Sequence, residues 1–213
     1  MIAVIDYDAG NIKSVEKALI HLGEDVSVTR DLKTIREADA AILPGVGAFG
    51  DAMKRLCSYG LVPVIREYVE EQKKPFLGIC LGLQLLFSGS EESGGVEGLS
   101  LLEGEIRKIP DTAGLRVPHI GWNSLTFPKS GRLFEKTEKP PFVYFVHSYY
   151  LKAADPSIVA AQTEYGVTID ASVEKDNLFA CQFHPEKSSQ YGLSILERFV
   201  RYAHAYEADH SMS

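Results

Sequence analysis

Short apolar runs alternate with amphipathic stretches through the first half of the chain. Ile2-Ala3-Val4-Ile5-Asp6-Tyr7 is nearly continuous in apolar character and stops at Asp8-Ala9-Gly10-Asn11, the pattern of a buried strand closed by a turn. Asn11 is placed to cap a helix over Ile12 to Leu22, in which Val15, Leu19 and Leu22 recur at helical spacing. Asp25 to Arg30 and Asp39 to Leu43 read as further strands, the second ending at Pro44-Gly45-Val46-Gly47, where the backbone must turn. Leu61 to Gln72 reads as a helix with Pro63 in its first turn, and Pro75 opens the apolar run Phe76-Leu77-Gly78-Ile79. This repetition predicts a three-layer α/β fold: a mainly parallel central sheet with helices on both faces. After Leu86 the pattern turns strand-rich, over Leu102 to Ile109, Phe142 to Leu151, Ile158 to Tyr165 and Val167 to Phe183. A mixed or antiparallel extension of the sheet is therefore expected. Leu193 to Tyr206 reads as a closing amphipathic helix, so residues 1–206 are expected to form one domain and 207–213 a flexible tail.

Composition adds exclusions. The 213 residues are 45% hydrophobic and 24% charged, ordinary for a globular chain, and 213 residues suffice for one substantial core. A formal charge of −7 with no Lys/Arg block disfavours nucleic acid and anionic lipid as partners. No basic segment precedes a long apolar stretch at Met1, and no apolar run is long enough to span a membrane, so a cytoplasmic location is expected. Three scattered cysteines fit neither a disulfide framework nor a zinc site, and no metal or organic cofactor is expected. Cys57 and Cys181 read as small buried core residues.

Cys80 reads differently. It lies at the junction of a core strand and a helix in Gly78-Ile79-Cys80-Leu81-Gly82, with a glycine two positions away on each side. That is the small-residue pattern of a nucleophile elbow, in which a sharp turn projects one reactive side chain and bulk beside it is excluded. A helix N-terminus favours an anion, hence a thiolate. A base is available far along the chain, in Cys181-Gln182-Phe183-His184-Pro185-Glu186. A parallel sheet can bring the carboxyl ends of distant strands into one crevice, so Cys80 and His184 could meet. His184 would then exchange the proton and Glu186 would hold the imidazole. A His-Pro-Glu triplet alone is commonly a surface turn; the elbow is what reverses that reading.

At these residues the chain resembles the class I, triad-type glutamine amidotransferases, and more narrowly the glutaminase subunits of imidazole glycerol phosphate synthase. Both resemblances span nearly the whole chain. The narrower one rests on Pro44-Gly45-Val46-Gly47, Pro118-His119-Ile120-Gly121-Trp122-Asn123 and His184-Pro185-Glu186-Lys187-Ser188. The resemblance implies Cys80 as nucleophile, His184 as acid/base and Glu186 as orienting carboxylate. It further implies oxyanion stabilisation by the backbone around Gly45, Val46 and Gly47 with the Leu81 N–H, and Gln84 as a holder of L-glutamine. Asn11, Trp122, Asn123, Tyr144 and Lys187 become candidates for a partner interface.

The implied partner is a cyclase subunit of (β/α)₈-barrel fold in a 1:1 heterodimer. It would receive ammonia and make imidazole glycerol phosphate and 5-aminoimidazole-4-carboxamide ribonucleotide in histidine biosynthesis. The absence of a phosphate-binding P-loop motif here agrees with a phosphorylated substrate held elsewhere. Alternatives are the glutaminase of another amidotransferase, such as anthranilate or aminodeoxychorismate synthase, a cysteine peptidase, or a non-enzymatic regulator on the same fold. Trp122, Tyr144 and Phe145 could instead be core packing, and His147 is not assigned as the base.

Overall fold

A computed structural model describes residues 1–112 and 114–210, the last two as backbone only. The first half runs β1 (Ile2–Ile5), α1 (Ile12–His21), β2 (Val26–Thr29), α2 (Leu32–Glu37), β3 (Ala40–Leu43), α3 (Phe49–Ser58), α4 (Leu61–Arg66), β4 (Phe76–Ile79) and α5 (Leu81–Leu85). A π-type turn, Glu67–Glu71, extends α4. The second half runs β5 (Gly104–Lys108), β6 (His119–Ser124), β7 (Phe142–His147), β8 (Tyr149–Ala153), β9 (Val159–Glu164), β10 (Thr168–Lys175), β11 (Leu178–Cys181) and α6 (Ser189–His210).

The seven-stranded sheet has the order β2-β1-β3-β4-β11-β10-β9. Its first five strands are parallel, and the β9–β10–β11 meander is antiparallel. Two separate antiparallel pairs, β5–β8 and β6–β7, complete the expected mixed extension. Every residue of β1, β3, β4 and β11 is buried. Successive side chains of a strand leave on opposite faces, so only a sheet covered on both sides demands such unbroken apolar runs. In β1, Ala3 and Ile5 pack into one core with Ile35 of α2, Phe49 of α3 and Val64 of α4. Ile2 and Val4 pack into the opposite core with Val15 of α1 and Ile195 and Phe199 of α6.

Several local expectations are corrected. Asn11 is left-handed, with φ 70°, and makes no side-chain bond to its helix, so it does not cap α1. Two helices, α2 and α3, lie where the sequence reading places none. In α3 the buried residues Phe49, Ala52, Met53 and Leu56 follow helical spacing. Trp122 lies on β6 and is 51% exposed rather than packed in the core, whereas Phe145 is fully buried. Cys57 is exposed on α3, while Cys181 is buried as expected. The last helix starts at Ser189 and reaches His210, so residues 207–210 of the expected tail are helical; 211–213 lie outside the described residues.

Candidate active site

Strand pairing brings the candidate nucleophile and base together. β4 and β11 are parallel neighbours, with Ile79 opposite Cys181. Cys80 follows β4 directly, its N–H donating to the Cys181 carbonyl at 2.8 Å. His184 follows β11 by three residues, and its N–H donates to the Tyr144 carbonyl of β7 at 3.0 Å. Ser188 secures the turn between them: its hydroxyl accepts from the Tyr144 N–H at 2.9 Å and donates to the His184 carbonyl at 2.6 Å.

Cys80 adopts φ 57° and ψ −108°, a strained backbone for a residue with a Cβ. Its glycine neighbours allow the bend to pack. A Cβ on Gly82 would collide with the Leu43 carbonyl oxygen, and one on Gly78 would lie 2.8 Å from the Gly82 oxygen. The thiol sits 3.9 Å from the Val146 carbonyl, and Gln182 Nε2 approaches the sulfur at 3.7 Å.

His184 Nδ1 and Glu186 Oε1 are 2.8 Å apart, both side chains excluded from solvent. Burial alone would lower the imidazole's pKa. The Cys80 sulfur and the Glu186 carboxylate outweigh it and raise the pKa to about 9. His184 Nε2 has no hydrogen bond of full geometry, leaving it available toward the sulfur that acts on it. Asn11 Nδ2 donates to the same Glu186 Oε1 at 2.5 Å and lies 3.3 Å from His184 Nδ1. The amide expected to cap a helix instead braces the carboxylate.

A pocket of about 230 Å³ opens over the sulfur, bordered by Val46, Gly47, Gln84, Glu92, His147 and Tyr149. Gln84 Nε2 donates to the Tyr149 carbonyl and to Gln182 Oε1, each at 3.0 Å. The Leu81 N–H donates to the Gly45 carbonyl at 3.2 Å, so in this conformation the expected oxyanion donor is engaged by the loop itself. Behind that loop lies a second cavity of about 110 Å³, lined by Tyr7, Val46, Gly47 and Arg55 among others. Glu92 carries no motif, and Gln182, although part of the His184 segment, has no spacing that assigns it a role. Nor has Tyr7, whose hydroxyl donates to the Pro44 carbonyl at 2.7 Å and fixes the base of the loop.

The candidate interface residues lie largely outside this pocket. Ile120 stands opposite Val146, Trp122 opposite Tyr144 and Ser124 opposite Phe142, so these side chains share one face of the β6–β7 ribbon. Trp122 and Tyr144 meet edge to face at 6.1 Å, and Ile120 and Phe142 are each about 60% exposed. Lys187 is exposed beside the His184 turn, whereas Asn123 is turned toward the Glu164 carbonyl, to which it donates at 2.9 Å. The opposite face of the ribbon carries His119 and His147, both buried, whose pKa values burial pushes down to about 4 and about 3.

A family model for class-I glutamine amidotransferases matches residues 3–203. The chain belongs to that family. It is 52% identical over 210 residues to the imidazole glycerol phosphate synthase subunit HisH of Moorella thermoacetica, covering 98% of this chain and 99% of the relative. It is also 52% identical to the HisH subunit of Aquifex aeolicus, over 94% and 96% of the two chains. Among solved structures, a glutamine amidotransferase superposes with a TM-score of 0.75 at 20% identity, over 96% of this chain and all of that one. A putative GMP synthase subunit from Thermoplasma acidophilum gives 0.73 at 19% identity, over 99% and 96%. These two show the shared fold.

Proposed function

We propose that this chain hydrolyses L-glutamine through a glutamyl thioester on Cys80 and passes the ammonia to a cyclase making imidazole glycerol phosphate in histidine biosynthesis. The observation that carries this reading is that Cys80, which borders the pocket, interacts through its sulfur with the buried His184–Glu186 pair. A protonated His184 beside the sulfur favours a thiolate–imidazolium pair, in which Glu186 and Asn11 fix the ring. The thiolate attacks the side-chain carbonyl carbon of glutamine. His184 then gives its Nε2 proton to the departing nitrogen, which leaves as ammonia, and a thioester remains. The imidazole next takes a proton from water, whose oxygen displaces the sulfur and releases glutamate. Gln84 positions the amide, and Glu92, the one acidic residue bordering the pocket, supplies a counter-charge for the α-ammonium group.

The developing oxyanion needs donors aimed at it, an effect worth roughly 3–4 kcal/mol per donor elsewhere. With Leu81 N–H bonded to Gly45, that donor is occupied until the Gly45-Val46-Gly47 loop turns. The cavity behind the loop gives it room to do so. Binding of the nucleotide substrate on the partner is proposed to drive this turn, as a coupling free energy between two sites. The partner is proposed to be a (β/α)₈ barrel, bound 1:1 on the exposed face carrying Ile120, Trp122, Phe142 and Tyr144, with Lys187 near the rim. A cytoplasmic location is proposed for both chains.

The test is product formation with the cyclase, supplied with glutamine or with ammonia, in the presence and absence of the nucleotide substrate. Cys80→Ala should abolish the glutamine-dependent reaction and leave the ammonia-dependent one. Loss of both, or of neither, would count against the proposal; glutamine turnover indifferent to the nucleotide would remove the coupling.

A further inference from the structure

The two buried histidines of the β6–β7 ribbon take no part in the chemistry above, yet each of their hydrogen bonds has only one possible direction. His147 Nδ1 lies 2.8 Å from the Tyr149 carbonyl, which can only accept, so Nδ1 carries the proton. In the neutral ring, His147 Nε2 is then an acceptor, and His119 Nδ1, at 3.0 Å, must donate to it. His119 Nε2 is left to accept, and Asn123 Nδ2 faces it at 3.4 Å. Aromatic stacking fixes the first ring: His119 lies between Phe145, 4.7 Å away, and Tyr165, 3.8 Å away, nearly parallel to both.

The chain of donors ends at the pocket. The Tyr149 carbonyl that accepts from His147 also accepts from Gln84, and Gln84 in turn donates to Gln182, whose amide approaches the Cys80 sulfur. Every ring and amide from His119 to Gln182 is buried, so a partner lost from this chain is costly to replace. We propose that His119 and His147 are a positioning pair for the glutamine site, a one-way relay from Asn123 to the Tyr149 carbonyl that sets where Gln84 is held. They act through Gln84 and are not catalytic residues. The inference rests on the proposed role of Gln84 in holding glutamine. It also joins the two faces of one ribbon: the outer face presents Trp122, and the inner face fixes the pocket wall.

Two readouts test it. Long-range ¹H–¹⁵N spectra of the labelled full chain should show both rings protonated on Nδ1, the less common tautomer of free histidine. Steady-state glutamine hydrolysis with the cyclase should show a KM for glutamine raised about tenfold in His119→Leu, the scale of one lost buried hydrogen bond, with kcat within about twofold. His119→Asn, whose amide nitrogen replaces Nδ1, should recover most of that loss. Protonation on Nε2 in either ring overturns the relay, as does a folded His119→Leu with wild-type KM, or equal losses in the Leu and Asn variants. If His119→Leu does not fold, the tautomers and the Asn variant still decide. A wild-type complex that leaves glutamine untouched would refute the glutaminase reading instead, with the tautomers still testing the relay.

Discussion

Replacing Glu186 by Gln removes one charge from the site while preserving its shape. Asn11 can still donate to the amide oxygen, so the side chain stays in place and His184 loses only the carboxylate's field. In the native protein His184 is raised from 6.5 to about 9 against a burial effect acting the other way. A shift of that size corresponds to about 3 kcal/mol favouring the imidazolium. Without the carboxylate only the Cys80 sulfur remains to oppose burial, so the ring should titrate clearly below about 9. The proton donor for the leaving nitrogen is then less fully populated near neutral pH, and turnover should fall by at most roughly 100-fold, the rate equivalent of losing the whole of about 3 kcal/mol. The assay is glutamine hydrolysis in the partner complex from pH 5 to 10, with ¹⁵N titration of His184 in both proteins. A native His184 titrating near 6.5, or a Glu186→Gln profile superimposable on the native one, would refute the reasoning.

The same histidines set opposing limits on stability. His184 has a raised pKa, so its contribution is complete below about 6.5 and is lost as pH rises through about 9. His119 and His147, which face Tyr165, His184 and each other, are depressed, so theirs is present above about 6.5 and lost as pH falls toward 4 and 3. Urea midpoints at pH 5, 7 and 9.5 should therefore peak at the middle value, with the alkaline decline smaller in Glu186→Gln; a decline of equal size in that variant would contradict the assignment. Gly82→Ala forces a methyl into the Leu43 carbonyl and should cost about 1–3 kcal/mol by overpacking while displacing the elbow, read as a lower urea midpoint and a larger loss of turnover. Native-like values for both would mean that the close approach is unimportant. Trp122→Ala should weaken cyclase binding by about 2 kcal/mol, roughly 30-fold in Kd, with the melting temperature of the isolated chain unchanged because the ring is half exposed. A lower melting temperature with native affinity would place Trp122 in the core after all.

What could be seen in the sequence was local in character. The elbow needs only a strand, a bend and glycines within five residues, all visible around Cys80. The parallel sheet followed from unbroken apolar runs that only two-sided burial explains. Failures arose where a residue's role depends on distant chain. Asn11 resembles a cap, but its amide is taken by Glu186, 175 residues away. Trp122 reads either as an interface residue or as core packing, because apolar side chains destined for a partner look the same in sequence as those destined for a core; the fold leaves its ring half exposed. Cys57 shares α3 with four buried residues but falls on its outer side. Glu92 reaches the pocket from a loop and Gln182 reaches the Cys80 sulfur from just beyond a strand, with no spacing to announce either role.

The central claim is that Cys80 carries the acyl group. Glutamine mixed with the cyclase complex and quenched in acid within one turnover should leave a single glutamyl adduct, mapped by mass spectrometry to the peptide containing Cys80 and absent in Cys80→Ser. An adduct on Cys57 or Cys181, or steady glutamate release with Cys80 never modified, would contradict it.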